Sequence, residues 1–312
     1  MAGGNVQRLD PAKFRDPRVT AKGEPRATVT LGALRTLWFN TGTLCNIACK
    51  GCYIESSPSN DRLVYLSPQD VAPYLDEIAP DVEVGFTGGE PFLNPHIIEL
   101  IGMSLALDHP VIVLTNAMRP MLRPRVMEGL LTLQKEYGEK LVLRVSLDHP
   151  EAPLHDAERG EGGFDETLAG IDWLCANGFA VHVAGRMWGA EEADLRARYA
   201  DLFAARDWRI DAASPRELVL FPEMDVAVDV PEITTACWGI LGLDPAGLMC
   251  STSRMIVRRA GAAHPVVVTC TLLPYEPAFE LGATLAGSAR TVPLNHPHCA
   301  KFCVLGGGKC AA

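Results

Sequence analysis

The feature that most constrains this chain is a short loop with three cysteines. Cys45, Cys49 and Cys52 fall within eight residues, spaced C-x3-C-x2-C, and Tyr53 follows them. This spacing forces a tight loop whose sulfur atoms face one point, and thiolates are ligands for zinc or iron–sulfur clusters. Because a complete zinc or cubane site usually takes four protein ligands, a local set of three leaves one metal position open for chemistry. A zinc loop with a remote fourth ligand, or a chance clustering of cysteines, is the alternative.

A second motif lies at residues 87–91. Gly88, Gly89, Glu90 and Pro91 follow an apolar, strand-like run at residues 82–86. Glycines let another group approach the backbone closely, and a carboxylate accepts hydrogen bonds from an ammonium group. The motif therefore predicts a ligand site at the end of a strand. An ordinary strand-to-helix turn is the alternative.

In this order and separation, the two motifs resemble the signature of the radical S-adenosylmethionine (radical SAM) superfamily. The resemblance implies that Cys45, Cys49 and Cys52 are the catalytic metal ligands and hold three irons of a [4Fe-4S] cluster. The amino and carboxylate groups of S-adenosylmethionine (SAM) would bind the fourth iron. It also implies that this part of the chain contacts SAM through Tyr53, Gly88, Gly89, Glu90 and Pro91.

Composition excludes several other classes of protein. The 312 residues include 28 basic and 38 acidic side chains, and the net charge of −10 argues against nucleic acid as a partner. No secretion signal and no apolar run of membrane-spanning length is visible, so we expect a soluble cytoplasmic protein with no membrane partner. In such a protein the ten cysteines are metal ligands and buried thiols rather than a disulfide framework.

Apolar strand-like segments alternate with amphipathic helical segments along the chain. This alternation predicts an α/β protein with a parallel sheet covered by helices, either doubly wound or a partial barrel. The resemblance implies an open, partial (β/α)6 TIM-like barrel. We predict an irregular arm over residues 1–34, the barrel over 35–230 and a small cysteine-rich α+β module over 231–312. The six predicted strands are 36–39, 82–86, 111–114, 141–147, 180–184 and 218–221.

Polar residues follow several of these strands, at the end where α/β barrels collect their sites. Asn116 follows the third strand and is predicted to contact SAM there. Residues 145–164 resemble a stretch of the radical SAM subgroup that carries extra C-terminal clusters. That resemblance implies that Ser146 and Asp148 lie near the SAM ribose and Arg159 near its carboxylate. A turn cap at Asp148 and a surface charge at Arg159 are the alternatives, and His149 replaces the glycine common in the subgroup.

Three charged residues beyond the fourth strand are weaker predictions. Arg186 ends the fifth strand, and the sequence leaves two alternatives, a side chain that points into the site and one that lies on the surface. Glu223 and Asp225 follow the sixth strand and are candidate substrate contacts or acid–base groups, although surface carboxylates are common without a function.

Six more cysteines fall in the last 76 residues. Two strand-like runs, 255–257 and 266–269, predict a hairpin that turns at Gly261, and residues 279–286 are predicted to be helical. This order of cysteines and elements resembles the auxiliary modules called SPASM or twitch domains. It implies one auxiliary [4Fe-4S] cluster, with a structural zinc knot as the alternative. The leading ligands are Cys250, Cys270, Cys303 and Cys310, with Cys299 close behind, while Cys237 is predicted to be a buried thiol.

The resemblance implies an enzyme that reductively cleaves SAM to a 5′-deoxyadenosyl radical, which abstracts a hydrogen atom from a substrate. A flavodoxin- or ferredoxin-type protein would donate the electron. Because only about 34 residues precede the first strand, too few for an independent domain, we expect a small-molecule substrate or a peptide delivered by another protein. The competing hypothesis is a non-catalytic metal-binding scaffold on the same fold.

Overall fold

A single mixed sheet organises the chain. The computed structural model describes residues 7–308, and within them the sheet has nine strands. All six sequence-predicted strands are present, with bounds within two residues of the prediction. The strands of the whole described chain are β1 (Thr28–Val29), β2 (Thr36–Asn40), β3 (Glu83–Thr87), β4 (Val111–Thr115), β5 (Leu141–Ser146), β6 (Ala180–Arg186), β7 (Leu218–Phe221), β8 (Ser253–Val257), β9 (Val266–Val268), β10 (Glu280–Gly282) and β11 (Val292–Pro293).

Helices connect the strands of the sheet. The first begins after Ser67, whose backbone N–H and hydroxyl both donate to the Asp70 carboxylate, at 2.9 Å and 2.8 Å. A π-helical turn, Cys299–Val304, lies near the end of the described chain. The α-helices are α1 (Pro68–Leu75), α2 (Ile97–Ala106), α3 (Pro124–Tyr137), α4 (Ala152–Arg159), α5 (Gly163–Ala176), α6 (Glu192–Ala205), α7 (Cys237–Leu241) and α8 (Met249–Thr252).

The sheet is open rather than closed. Strands β2 to β7 lie side by side in chain order and all run parallel, which confirms the predicted α/β partial barrel. Strand β8 joins the other side of β2, also in parallel, with Met255 opposite Trp38. The predicted hairpin is present as antiparallel β8 and β9, and Gly261 in its turn has φ +78°. The cysteine-rich segment therefore extends the barrel sheet. The domain boundaries themselves stay a prediction.

One predicted element is wrong. Residues 279–286, expected to be helical, contain strand β10, which pairs with β9, and the short 3₁₀ turn Ala286–Ser288 follows. The physical reason is a tertiary one, because β9 offers an open edge whose backbone groups the segment can pair with, and Gly282 disfavours a helix.

The two faces of the sheet bury different side chains. Leu37 and Phe39 of β2 point to the outer face and pack with the helices in the main core. Trp38 points to the inner face, where its ring occupies the space that a side chain at Gly85 would need. This alternation follows from the period of two residues along a strand. It leaves the carboxyl ends of the strands free to form a site.

The segment before β2 packs onto the C-terminal segment. Strand β1 pairs with β11, and the buried Arg26 forms an ion pair with Glu232. The carboxylate of Glu232 also accepts a hydrogen bond from the backbone N–H of Phe14. Among residues 7–34, β1 is the one strand, and no helix is present there. Among the described helices, none has the length and apolar character needed to cross a membrane.

Candidate active site

A cavity at the carboxyl ends of β2 to β7 collects most of the residues that the sequence predicts as a site. It lies where the loops after successive parallel strands meet, as expected for this type of sheet. Of the predicted cluster and SAM residues, those that line the cavity are Cys45, Cys49, Cys52, Tyr53, Gly88, Gly89, Asn116, Ser146, Asp148 and Arg159.

The three cysteines of the first loop face this cavity together, with Cys45 buried and the other two half-buried. The backbone N–H of Ser56 points at the Cys52 sulfur, with nitrogen and sulfur 3.3 Å apart. The side-chain amide of Asn116 lies 3.9 Å from the Cys45 sulfur. These donors stabilise negative charge on sulfur, which is what thiolate ligands require.

Burial raises the pKa of Cys45 to about 12 and that of Cys49 to about 11. The positive charge of Arg159 acts in the opposite direction on Cys49. Both thiols are therefore protonated near neutral pH in the protein alone, and a metal that binds them has to displace these protons.

The two glycines hold the cysteine loop against the end of β3. Gly89 N–H donates to the Gly42 carbonyl oxygen at 2.9 Å, and Glu90 N–H donates to that of Leu44 at 3.1 Å. Gly88 has φ +138°, a conformation that other residues rarely adopt. A side chain on either glycine would collide with the backbone of the cysteine loop. The motif thus fixes the loop as well as bordering the cavity.

Glu90 and Pro91 lie behind the glycines, outside the cavity lining. The buried Glu90 carboxylate accepts hydrogen bonds from the Thr115 hydroxyl at 2.9 Å and from the Asn116 N–H at 2.9 Å. A third donor is the Phe92 N–H at 3.2 Å. Burial raises the pKa of Glu90 to about 7, against the effect of these bonds. Glu90 thereby ties β3 to β4, and its contact with SAM stays a prediction.

Asp148 and Arg159 form a buried, two-point ion pair at the cavity wall. Arg159 Nε lies 2.7 Å from Asp148 Oδ2, and Nη2 lies 3.1 Å from Oδ1. Burial opposes the charged form of Asp148, but the Arg159 guanidinium outweighs it and holds the pKa of the carboxyl below its usual value. His149, where the subgroup commonly has glycine, is buried and its Nδ1 accepts from the Glu151 N–H at the start of α4. The loop after β5 and the end of α4 therefore bring the two charged groups together at the cavity.

The sequence analysis missed Glu158, the residue beside Arg159. Its carboxylate accepts a hydrogen bond from the Gly51 N–H, and its backbone carbonyl oxygen accepts one from the Lys50 N–H at 3.1 Å. Arg186 Nη1 lies 2.8 Å from Glu158 Oε1, and Arg186 borders the cavity rather than the outer surface. The contact depends on how α4 packs on the cysteine loop, so no local sequence pattern predicts it.

The two carboxylates after β7 do not enter the site. Glu223 and Asp225 are exposed, and Met224 between them lines the cavity together with Phe221. Sequence reasoning chose the ionisable residues of this segment, whereas the chain turns its apolar residues inward.

Four C-terminal cysteines meet at a second, small cavity. Cys250, Cys270, Cys299 and Cys303 line it, and its other lining residues are mostly apolar. Burial raises the pKa of Cys299 well above its usual value, and the neighbouring Cys270 and Cys250 add to this effect. Cys310 lies outside the described residues. None of the nine described cysteines forms a disulfide.

A buried arginine lies beside this second cavity. Arg254 is fully buried on β8, and its Nη1 donates to the carbonyl oxygens of Cys250 at 2.7 Å and Ser253 at 2.8 Å. Its Nη2 donates to the Ser288 carbonyl oxygen at 3.1 Å. These acceptors are neutral, and the groups whose ionised form would stabilise the guanidinium are the thiols of Cys250 and Cys270. Burying an uncompensated charge costs several kcal/mol, so this cavity is prepared for an anionic group.

Comparison with known proteins decides the family. Residues 39–195, about half of the chain, match the profile of the radical SAM superfamily. The chain belongs to the radical SAM superfamily. The match contains the cysteine loop, the glycine motif and the Asp148–Arg159 pair.

Two named proteins are similar to parts of this chain. The antilisterial bacteriocin subtilosin biosynthesis protein AlbA of Bacillus subtilis is 31% identical over 186 residues, 56% of this chain and 39% of AlbA. The mycofactocin maturase MftC of Mycobacterium tuberculosis is 33% identical over 138 residues, 44% of this chain and 33% of MftC. These alignments span well under half of either relative.

The fold is shared with a solved structure. Streptococcus suis SuiB, in its structure bound to the precursor peptide SuiA, superposes with a TM-score of 0.60 at 12% identity. The superposition covers 84% of this chain and 66% of SuiB. At this identity the likeness describes the fold alone.

The donor set of the first cavity fits the cluster and SAM that the radical SAM family implies. Three thiols face one cavity, with N–H groups directed at two of their sulfur atoms. Glycine backbone and the Asp148–Arg159 pair border the same space. The second cavity fits a thiolate-bound anionic group, by its four cysteines and Arg254. Within residues 7–308, no three His, Cys, Asp or Glu side chains are arranged around a single-ion site.

Proposed function

We propose that this protein is a radical SAM enzyme that reductively cleaves SAM and uses the resulting radical to abstract a hydrogen atom from a peptide substrate. One observation carries the proposal. The thiols of Cys45, Cys49 and Cys52 lie in one cavity with seven of the residues that the sequence predicts to contact SAM. A scaffold protein has no need for a glycine motif and a buried ion pair arranged around such a cavity.

When bound, the cluster and SAM supply an electron and a 5′-deoxyadenosyl radical. The protein residues would bind and orient these groups and exclude water from the cavity. The Arg159 guanidinium, held by Asp148, offers a positive charge for a carboxylate, and the backbone at Gly88 and Gly89 borders the same space. The fixed ion pair costs no reorganisation during the reaction, which is the main contribution of a preorganised polar site.

We assign an auxiliary [4Fe-4S] cluster to Cys250, Cys270, Cys299 and Cys303. The cavity that these four cysteines share, and the buried positive charge of Arg254 beside it, support this assignment. This set takes Cys299 in place of Cys310, the residue that the sequence analysis preferred. A structural zinc site on the same four thiols is the competing assignment, and metal analysis separates the two.

A peptide is the substrate class that the relatives favour. AlbA is named for bacteriocin biosynthesis, MftC is named a maturase, and SuiB is solved with a precursor peptide. A small molecule is the second candidate. We propose a flavodoxin- or ferredoxin-type electron donor, because cleavage of SAM needs one electron that the chain does not generate itself.

The test is anaerobic reconstitution followed by measurement of iron, zinc and 5′-deoxyadenosine. The parent should bind about eight irons and release 5′-deoxyadenosine with a strong reductant. Replacing Cys45, Cys49 and Cys52 by Ala should remove about half of the iron and all cleavage. The matched control is Cys175→Ala, a half-buried thiol on α5 that lines neither cavity.

Two other outcomes would each contradict a part of the proposal. A parent that binds iron at the first loop but never cleaves SAM would support the scaffold hypothesis. Zinc in place of the remaining iron in the triple variant would make the second site structural.

A further inference from the structure

Part of the cavity lining is an apolar wall whose residues do not belong to the predicted cluster and SAM set, and nothing in the family signature accounts for it. We define this wall as Phe221, Met224, Leu272 and Phe302, all of which line the cavity. Phe221 ends β7, Met224 follows it, and the other two come from the C-terminal segment. By contrast, the polar lining residues predicted to bind SAM belong to the β2 to β5 side and α4.

The wall closes the open side of the partial barrel. Strand β7 is one edge of the sheet, and the C-terminal segment extends from the opposite edge. The rings of Phe221 and Phe302 meet across this gap with centroids 5.6 Å apart and an interplanar angle of 39°. An aromatic pair in this geometry contributes more than its buried area alone. The edge strand β7 is therefore joined to the C-terminal segment by apolar contact at the cavity.

The charged residues next to Met224 and Phe302 in sequence lie at the protein surface. Glu223 and Asp225 flank Met224 in sequence, and both are exposed. Lys301 precedes Phe302, and its ammonium group donates to the Asp225 carbonyl oxygen at the protein surface. The chain thus turns only apolar side chains inward in these two segments. Arg186 lies opposite Phe221 across β6 and β7, but its guanidinium is held in the ion pair with Glu158. The four side chains of the wall themselves offer no polar partner, so a charged or strongly polar substrate group placed against them would lose free energy by desolvation.

The position of the Phe302 ring is fixed by the chain around it. The ring is 1% exposed, and Gly308 packs against it so closely that a side chain there would lie 2.6 Å from the Cε1 atom. The Gly308 N–H donates to the Phe302 carbonyl oxygen at 2.8 Å. Phe302 lies in the π-helical turn, a geometry that occurs frequently at functional sites. The turn directs Cys299 and Cys303 to the second cavity and Phe302 to the first.

We infer that the apolar wall is a substrate subsite that binds an aliphatic or aromatic side chain next to the SAM residues. This inference rests on the proposed function and narrows its substrate class, from any peptide to one that presents an apolar residue at the reacting position. Because the wall is preformed, the substrate pays little for ordering it, and the affinity gain from burying one such side chain is about tenfold to a hundredfold.

The experiment uses the reconstituted full chain with SAM and four capped pentapeptides, Gly-Gly-X-Gly-Gly, where X is leucine, phenylalanine, aspartate or lysine. Dissociation constants are measured anaerobically by ligand-observed NMR. The leucine and phenylalanine peptides should bind at least tenfold more tightly than the aspartate and lysine peptides. Met224→Asp, which places a carboxylate on the wall, should abolish that preference, and the milder Met224→Ser should reduce it. Glu223→Ala, at the exposed neighbour, should keep it.

Equal affinities for the four peptides, undetectable binding of the two apolar ones, or a preference that survives Met224→Asp would overturn the subsite. Circular dichroism confirms that both Met224 variants are folded. Release of 5′-deoxyadenosine by the parent without any peptide is recorded separately. If the parent cleaves SAM but shows no apolar preference, this inference fails and the proposed function stands. If the preference is present without SAM cleavage, the proposed function fails.

Discussion

Glu158 and Arg186 form an ion pair at the rim of the cavity, with Oε1 and Nη1 2.8 Å apart, and both side chains are largely buried. The same carboxylate accepts a hydrogen bond from the Gly51 N–H, between the second and third cysteines of the loop. The Arg186 guanidinium in turn stacks on the Trp188 ring, 4.3 Å from its centroid. The loop that carries the cysteines is therefore held from the far side of the sheet, through α4 and β6.

Glu158→Ala should loosen the cysteine loop without removing a metal ligand. The variant loses the acceptor for Gly51 N–H and leaves Arg186 without its carboxylate, and breaking a buried pair in this way costs about 3–5 kcal/mol. We expect the reconstituted variant to lose iron from the first site to a chelator at least tenfold faster than the parent. The absorbance decay of the cluster after chelator addition measures this rate.

The control for that experiment is Glu166→Ala, which removes the partner of Arg119 in an exposed ion pair. Exposed pairs contribute about 0–1 kcal/mol, so this variant should keep the parent's rate. If Glu158→Ala also keeps it, Glu158 does not position the loop.

Much of the first site could be predicted from sequence because its parts are local. Three cysteines on one loop and two glycines at one strand end carry their geometry in their spacing. Glu158 could not be predicted, since its role arises only when α4 packs on the loop. Glu223 and Asp225 were chosen for their chemistry, yet the direction of each side chain depends on how the segment after β7 meets Phe302.

The C-terminal region was less predictable for a related reason. Its hairpin and turn were recognised from local pattern, but the parallel pairing of β8 with β2 joins residues more than two hundred positions apart, such as Leu37 and Arg254. That pairing buries Arg254 and helps to bring Cys250 to the second cavity. Sequence spacing does not reveal which of six cysteines meet, and the preferred ligand Cys310 lies outside the described residues.

Glu90→Gln should change how the stability of the metal-free protein depends on pH. The folded parent keeps its proton on Glu90 up to about pH 7, whereas an unfolded chain releases it near pH 4.3. Between these values the folded state binds more protons, so the stability contribution of this group falls as pH rises, by up to about 1.4 kcal/mol per pH unit. The glutamine has no proton to lose and should remove that part of the slope.

Urea unfolding of both proteins at pH 5, 6, 7 and 8 tests this. The difference in unfolding free energy between parent and variant should shift in favour of the variant from pH 5 to pH 7 and then level off. A difference that stays constant across the four pH values would contradict a raised pKa at Glu90.

Asp148→Asn should destabilise the folded protein and change its response to acid. The variant leaves the buried Arg159 guanidinium without its carboxylate, at a cost of about 3–5 kcal/mol. The folded-state pKa of Asp148 is lowered, so its stabilising effect is fully present above the unfolded value of about 3.9 and is lost as pH falls through the folded value. The stability gap between parent and variant should therefore be constant from pH 5 to 8 and shrink below about pH 4.

Guanidinium unfolding across this range measures the gap, and SAM titration at pH 7.5 provides a second readout. Arg159 without its partner has no fixed orientation, so we expect SAM to bind at least tenfold more weakly. A gap that widens in acid would show that Asp148 is not charged in the folded protein.

Arg254→Met should make the auxiliary cluster harder to reduce. The guanidinium is buried, is held by backbone carbonyls and lies beside Cys250, so its charge favours an added electron at the four-cysteine cavity. Removing that charge should move the midpoint potential of the C-terminal cluster about 60 mV or more in the negative direction, because 59 mV corresponds to tenfold in a one-electron equilibrium. Redox titration followed by electron paramagnetic resonance of the variant lacking Cys45, Cys49 and Cys52 isolates this cluster.

Arg259→Met is the matched control, because Arg259 pairs with Glu280 at partly exposed positions. Removing this screened surface charge should change the potential by no more than about 10 mV. Equal shifts in the two variants would show that Arg254 acts through the fold and not through its charge on the cluster.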